Sequence, residues 1–370
     1  MSVKTEKNTS ETDLNSKIEP SPQDTVRNDM LDASPLLKDV DKMLVKSTDY
    51  TPIGCGHLPM NRPLDQYIDY GIIHIDKSSN PSSHEVVTWV KNILKCEKTG
   101  HCGTLDPKVS GVLTICLNRA TRLTKSQQTL GKEYVCVIEF NDKPKRKAFL
   151  KAVKTLTGLL YQRPPLMCAV KRDIRLRNIY NIEILEFNKE NKLALFKVSC
   201  EAGTYIRTLC VHIGILMGCG ATMKELRRIR SGTTEEDKCY TLHDLLDANY
   251  IYEQTRNEYY LRKLIRPLEE LLIGYPKVMI KDSCVNAICY GAKLSVNGVL
   301  KYDSNIDTDT TVVLITAKGE AVALGTAIVS SPEIELMNHG FVCKTKRLIM
   351  EKDLYAKSWG LKNEFEILSD

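Results

Sequence analysis

TGHCGTLDPKVSGVL (Thr99 to Leu113) carries His101, Asp106 and Pro107 in a loop flanked by glycines and then runs into a strand-like apolar stretch. Glycines at such positions permit tight turns and leave the side chains between them exposed for binding or chemistry. On the Asp-Pro pair alone, a helix start explains the loop, with Asp106 as N-cap and Pro107 at N1. Upstream, GIIHID (Gly71 to Asp76) alternates like a strand, KSSNP supplies a turn, and Ser82 with Glu85 forms a capping box. That box opens a helix whose Val86, Val87, Val90, Ile93 and Leu94 share one face. Downstream follow the strand-like GVLTICL (Gly111 to Leu117), a helical stretch around Arg122 to Gln128 and the alternating KEYVCVIEF (Lys132 to Phe140). A helix near Arg146 to Leu156, a strand at Ala194 to Cys200, a helix at Tyr205 to Met217 and the strand ELRRIRSG continue the interleaving to about Tyr240. The pattern predicts an α/β or α+β catalytic domain.

Helices are expected at Leu242 to Tyr250 and Tyr259 to Leu272, after which the composition changes. A short helix at Ser283 to Tyr290, GAKL, and then VNGVLKYD, TTVVLIT, GEAVALGTAIV and KRLIM read as short strands of a small β-barrel over residues 276–352. Residues 1–33 are too polar to offset their ordering entropy and are expected to be disordered. In 34–70 apolar residues return among Pro52, Gly54, Gly56, Pro59 and Pro63, which predicts an irregular arm laid across a folded body. Residues 353–370 form a tail.

With 370 residues, 42% hydrophobic and 26% charged, the chain is long enough for two or three globular units. No apolar run reaches membrane-spanning length and the N-terminus has no signal-peptide h-region, so an intracellular protein is expected. Thirteen cysteines without a C-x-x-C pair argue for reduced thiols. Cys284 and Cys289 lack further ligands at metal-site spacing, so no metal is assigned. A net charge of +6 distinguishes little, but Lys and Arg cluster in KPKRK (143–147), KRDIRLR (171–177), ELRRIR (225–230) and KTKR (344–347), which suggests a phosphate-contacting surface.

Taken with GKEY (Gly131 to Tyr134), GTYIRTL (Gly203 to Leu209) and ELRRIRSG (Glu225 to Gly232), the string H-x-G-T-L-D-P resembles the TruB-type pseudouridine synthases. The strings GIIHIDKSSNPSSHEVV, TRLTKSQQ, QRPPLMCAVKR, VNAICYGAKL and NHGFVCKTKRLIME narrow the resemblance to the dyskerin, guide-RNA-dependent branch, from about Pro35 to Leu361. The resemblance implies an α+β fold: a TruB-like catalytic domain over 71–272 with a mixed or antiparallel sheet, a dyskerin-like arm at 34–70, and a PUA RNA-binding domain at 276–352. It implies Asp106 as the carboxylate that breaks the glycosidic bond, so that the freed uracil turns and rejoins through C5 without any cofactor. Attack on carbon and removal of a ribose proton both suit a carboxylate, and the resemblance leaves both open.

By the same match, Arg207 pairs with Asp106, favouring its charged form and fixing its orientation, and Tyr134 stacks on the flipped base. Leu226 closes the base pocket, His101 lies beside the extruded nucleotide, and Lys132 joins the RNA-contacting group. Gly291, Ala292 and Leu294 belong to the GAKL signature of the PUA domain, where a glycine admits close approach of RNA or simply caps a helix. KSSNP stands where the family usually has KPSNP, and Cys102 where a small hydroxyl residue is commoner. The implied partners are a box H/ACA guide RNA, substrate rRNA and snRNA, and three small core proteins. Nuclear and nucleolar residence also rests on the resemblance, because the sequence stops soon after Trp359, without a lysine-rich tail.

Three other readings compete. A stand-alone tRNA pseudouridine synthase is disfavoured by the arm and the PUA-like unit, and a non-catalytic RNA scaffold by intact Asp106, Tyr134 and Arg207. A metabolic enzyme would need a phosphate-cradling glycine loop, and Gly218 to Gly220 lacks the spacing.

Overall fold

The computed structural model describes residues 34–165 and 171–357, so the expectations for 1–33 and for most of 353–370 lie outside the described residues. The arm supplies β1 (Leu44–Val45) and α1 (Leu64–Asp69). β2 (Gly71–Lys77) follows, then α2 (Ser83–Ile93), opened by the reciprocal Ser82–Glu85 capping box. Next come β3 (Thr99–His101), β4 (Ser110–Leu117), α3 (Thr124–Gln128), β5 (Lys132–Phe140) and α4 (Arg146–Leu156). β6 (Gly158–Gln162), β7 (Arg175–Asn188), β8 (Leu193–Cys200), α5 (Ile206–Met217), β9 (Ala221–Ser231) and β10 (Thr234–Glu235) complete the interleaving. The described part of the catalytic half closes with α6 (Leu242–Thr255), α7 (Tyr259–Leu264) and β11 (Ile265–Pro267).

Among the described residues these strands form one ten-stranded sheet in the order β11-β2-β4-β9-β5-β8-β7-β6, with β3 on β4 and β10 on β9. All its pairings are antiparallel except β4 with β9, which meet in parallel at Ser110–Arg227 and Gly111–Arg228. That two-residue seam joins the halves of the sheet. Helices α2, α4, α5, α6 and α7 bury one face, where Val86, Phe149, Ile213, Leu245 and Leu261 meet Ile73, Ile75, Leu113 and Ile138 in one core.

The remaining strands are β12 (Lys277–Ile280), β13 (Leu294–Ser295), β14 (Val299–Tyr302), β15 (Thr311–Ile315), β16 (Ala321–Ala327) and β17 (Phe341–Leu348), with α8 (Asp282–Cys289) and α9 (Ser331–Leu336). They make a second sheet in the order β1-β14-β12-β15-β16-β17-β13. One of its two edge strands is therefore β1 from the arm, pairing Leu44 with Tyr302 and Val45 with Lys301.

Two expectations need correction. The arm is not simply laid across the body: Leu36, Leu37 and Met43 are at most 5% exposed, in a core shared with Ile72 and Leu268 of one half and Met279 and Ile315 of the other. Arg62 is buried there too, holding both oxygens of Glu269 (2.7 and 3.1 Å) and lying 3.8 Å from Glu320. The single helix expected at Tyr259 to Leu272 breaks at Ile265, where β11 pairs with β2; Pro267 has no N–H to continue a helical ladder. Among the described residues no helix is long and apolar enough to cross a membrane.

Candidate active site

The stretch between β3 and β4 forms a loop rather than a helix start: Asp106 and Pro107 occupy a turn closed by the Val109 N–H donating to the Asp106 carbonyl at 3.0 Å. Its backbone is held from three sides. The buried Lys77 ammonium, at the end of β2, donates to the carbonyls of Ser78 (2.8 Å), Pro107 (3.0 Å) and Val109 (2.8 Å). Ser83, in the first turn of α2, accepts from the Leu105 N–H at 2.8 Å and donates to the Leu105 carbonyl at 2.9 Å. From β9, the Arg228 guanidinium donates to the carbonyls of Val112 (2.8 Å), Gly103 (3.0 Å) and Thr104 (3.4 Å). A loop whose carbonyls are saturated in this way presents the Asp106 side chain with little freedom.

The Asp106 carboxylate is 46% exposed and lies 3.0 Å from Nη2 of Arg207, one residue into α5. Both border a cavity of about 460 Å³, a size suited to a small planar ligand. Tyr134 and Lys132 of β5, Leu226 and Arg228 of β9, and Ile206 complete the walls that matter for chemistry. Tyr134 is 9% exposed, and burial raises its hydroxyl pKa, keeping it a neutral phenol. Lys132 is 4% exposed; its ammonium caps the carbonyls of Leu130 (2.7 Å) and Gln127 (3.3 Å), and burial, then the charge of Arg228, lowers its pKa to about 8.

His101 stands outside this lining, on β3, packed edge-on against His84 with ring centroids 5.9 Å apart. Burial, His84 and Arg228 all lower its pKa, so it is a neutral ring at neutral pH. Gly291, Ala292 and Leu294 lie elsewhere, on the second sheet. Gly291 adopts φ +95° just past α8, with open space where a Cβ would project, as a helix cap requires. The Ala292 carbonyl accepts from the Thr345 hydroxyl, and Leu294, 1% exposed, pairs with Cys343 of β17 and packs into the core of the second sheet.

Sequence reasoning missed Lys77, Ser83 and Arg228, and it read ELRRIR as free cations for phosphate. In fact Arg227 is tied to Asp76 (2.9 and 3.0 Å) and Glu236 (2.8 Å), Arg228 is 1% exposed, and Arg230 bonds Glu133 at 2.7 Å. The signal was present in the two-residue period of a strand: an inward Leu226 puts Arg228 inward as well. A larger cavity of about 740 Å³ has Asp76 as its carboxylate, but Arg227 takes both oxygens, which makes that pair a strut.

Four family descriptions match the chain in order: DKCLD (NUC011) domain at 32–87, TruB family pseudouridylate synthase (N terminal domain) at 91–147, tRNA pseudouridylate synthase B C-terminal domain at 207–273, and PUA domain at 276–349. The H/ACA ribonucleoprotein complex subunit cbf5 of Schizosaccharomyces pombe is 57% identical over 328 residues, covering 88% of this chain and 69% of that protein. Among solved structures, an H/ACA RNP bound to a substrate RNA containing 2'-deoxyuridine includes a chain that is 40% identical, with a TM-score of 0.78 over 86% of this chain and 97% of that one. A Cbf5-Nop10-Gar1 complex matches at 43% identity and a TM-score of 0.78, over 85% and 96%.

Proposed function

This chain belongs to the Cbf5 (dyskerin) family of TruB-type pseudouridine synthases, the catalytic subunits of H/ACA ribonucleoproteins, and from that premise we propose that Asp106 is its catalytic carboxylate. The observation that carries the reading is the Asp106–Arg207 pair at 3.0 Å on the rim of a cavity walled by Tyr134 and Leu226. A uridine turned out of its RNA enters base first, its ring lying against Tyr134 and Leu226, while its C1′ faces the carboxylate. The N1–C1′ bond breaks with its electron pair staying on the base, the uracil turns, and C5 bonds to C1′ as the C5 hydrogen leaves to solvent as a proton and N1 takes up a proton. Asp106 acts either as nucleophile or by taking a ribose proton. Arg207 holds the carboxylate in line for either route.

We divide the chain into an arm at 34–70, a catalytic domain at 71–272 and a PUA domain at 276–352; the change of family description between 273 and 276 supports the second boundary, while the DKCLD description runs past the first, to residue 87. The related structures contain Nop10, Gar1 and substrate RNA, and we assign this chain the same kind of assembly: a box H/ACA guide RNA, rRNA and snRNA substrates, and three small core proteins. In that assembly the PUA domain, through Gly291 and Ala292 with Leu294 buried behind them, meets the guide RNA, and His101 and Lys132 flank the extruded nucleotide. The particle serves a nuclear ribonucleoprotein role; we place it in the nucleolus, in ribosome biogenesis.

The test is tritium release from a 5-tritiated uridine in a matched substrate, using the chain reconstituted with guide RNA and core proteins. Release should require the guide and fall to background with Asp106→Asn. An active Asp106→Asn variant removes the assignment, and guide-independent release on tRNA would favour the stand-alone enzyme.

A further inference from the structure

Helix α5 opens without a cap of its own. Capping boxes start α2 and α6, whereas Tyr205, at the N-cap of α5, makes no side-chain cap bond. Yet the second residue of this helix is Arg207, whose guanidinium meets Asp106. The placement of its first turn comes from another element, β6.

Strand β6 is an edge strand of the ten-stranded sheet, and its polarity is reversed. Leu159 and Tyr161 are exposed, while the position buried at its end, 1% exposed, is Gln162. A carboxamide buried there is costly unless both its ends are used. Its Oε1 accepts from the Tyr205 N–H at 2.9 Å, and its Nε2 donates to the Tyr205 carbonyl at 3.2 Å. Pairing with both main-chain groups of one residue also fixes which way round the amide sits. The same carbonyl accepts the first rung of the helix, from the Leu209 N–H at 3.0 Å, so the amide grips α5 at the origin of its ladder. The residue after Gln162 adds a second strap: the Arg163 carbonyl accepts from the Thr208 hydroxyl at 3.2 Å. Arg207 therefore lies between two residues, Tyr205 and Thr208, that are tied to the exit of β6. The arrangement has a counterpart on the other side of the ion pair, where buried Ser83 holds both the N–H and the carbonyl of Leu105, next to Asp106.

We propose that Gln162 is a positioning residue for this reaction: by holding the Tyr205 main chain it fixes the start of α5, and with it the Arg207 guanidinium beside Asp106. The inference rests on the reading of the Asp106–Arg207 pair given above. It places one half of that pair under the control of an edge strand of the sheet.

The experiment uses the reconstituted guided particle in single-turnover tritium release, with Gln162→Met, Arg207→Lys, the double variant and Asp106→Asn. Methionine has a similar volume but neither hydrogen-bonding group. Gln162→Met should lose on the order of a hundredfold in the rate constant at saturation, while the half-saturating concentration stays within about threefold, the signature of misplacement at the reacting centre. Lysine lacks the fixed fork of a guanidinium, so the exact placement of α5 matters less to it. In the Arg207→Lys background Gln162→Met should therefore cost no more than about threefold. Hydrogen exchange supplies a readout that general damage would not reproduce: in Gln162→Met it should quicken in the segment Gly203 to Cys210, with β5 and β9 protected as in the wild type. A wild-type rate at saturation, a loss confined to the half-saturating concentration, losses that multiply in the double variant, or protection lost across β5 and β9 would overturn the proposal. If Arg207→Lys is itself inactive, the saturation split and the exchange pattern decide. If Gln162→Met does not fold, Gln162→Asn, whose amide falls one methylene short of Tyr205, is judged by the same criteria. An active Asp106→Asn variant would indict the site itself, whereas a dead Asp106→Asn beside a normal Gln162→Met would remove only this inference.

Discussion

Lys132 is a cation placed where cations are disfavoured, on the floor of the cavity, with burial and the neighbouring Arg228 charge holding its pKa at about 8. In the unfolded chain a lysine ammonium keeps its proton to about pH 10.4. Between these values the unfolded state binds the proton more tightly than the folded one, so stability from this group rises with pH through that window and is flat below it. Urea denaturation of the wild type and Lys132→Met should therefore diverge, the wild type gaining about 1 kcal/mol on the variant between pH 7 and pH 9. A difference independent of pH would mean that the ammonium keeps its proton throughout. The same residue shows why a site can be named in sequence without its parts being understood. GKEY marks Lys132 by resemblance as an RNA contact, but its ammonium turns back to cap the nearby carbonyls of Gln127 and Leu130, and the charge that helps lower its pKa belongs to Arg228 of β9, which only the fold brings to it.

Among elements, the β4–β9 seam concentrates the most consequence in the fewest residues. Consecutive arginines point to opposite faces of β9, as strand geometry dictates: Arg227 bolts one face to Asp76, and Arg228 bolts the other to the Asp106 loop. Gly111→Ala would place a methyl group against the Arg228 carbonyl at a backbone angle of +104°. We expect a loss of roughly 3 kcal/mol, measurable as a lower urea midpoint with unchanged slope, together with impaired tritium release. Stability equal to wild type would show that the seam can relax without cost. Elements with a strong local signature were legible beforehand: α2 through its capping box and β5 through strict alternation, buried at every second residue. β6 and β7 were not, because apolar side chains occupy their exposed positions: Leu159, Tyr161, Leu176 and Tyr180 are all about half exposed or more, so apolar and polar residues do not mark the two faces in the sequence. β11 was hidden inside an apparently helical run, although Pro267 marked the break.

For the molecule as a whole, the arm decides whether two sheets behave as one body. Its Leu36, Leu37 and Met43 share a core with both halves, and Arg62 joins Glu269 of the catalytic half to Glu320 of the other. Burial raises the Glu320 pKa, and the Tyr355 hydroxyl (2.6 Å) and the His57 N–H (3.2 Å) complete its bonds. Removing the cation strands two buried carboxylates, so Arg62→Met should cost about 3–5 kcal/mol. Calorimetry should give one cooperative transition for the wild type and an earlier, broadened or split one for the variant. None of this was readable from a lone arginine between two prolines, because each partner lies more than 200 residues away. The same separation sets a schedule for synthesis. β1 cannot pair until Tyr302 has been made, about 260 residues after Leu44, which at cellular elongation rates is an interval of roughly 15–50 s. Through that time the nascent chain trails three uncovered apolar side chains and an unpaired strand from its leading end, and a ribosome carrying it is a natural client for holding chaperones.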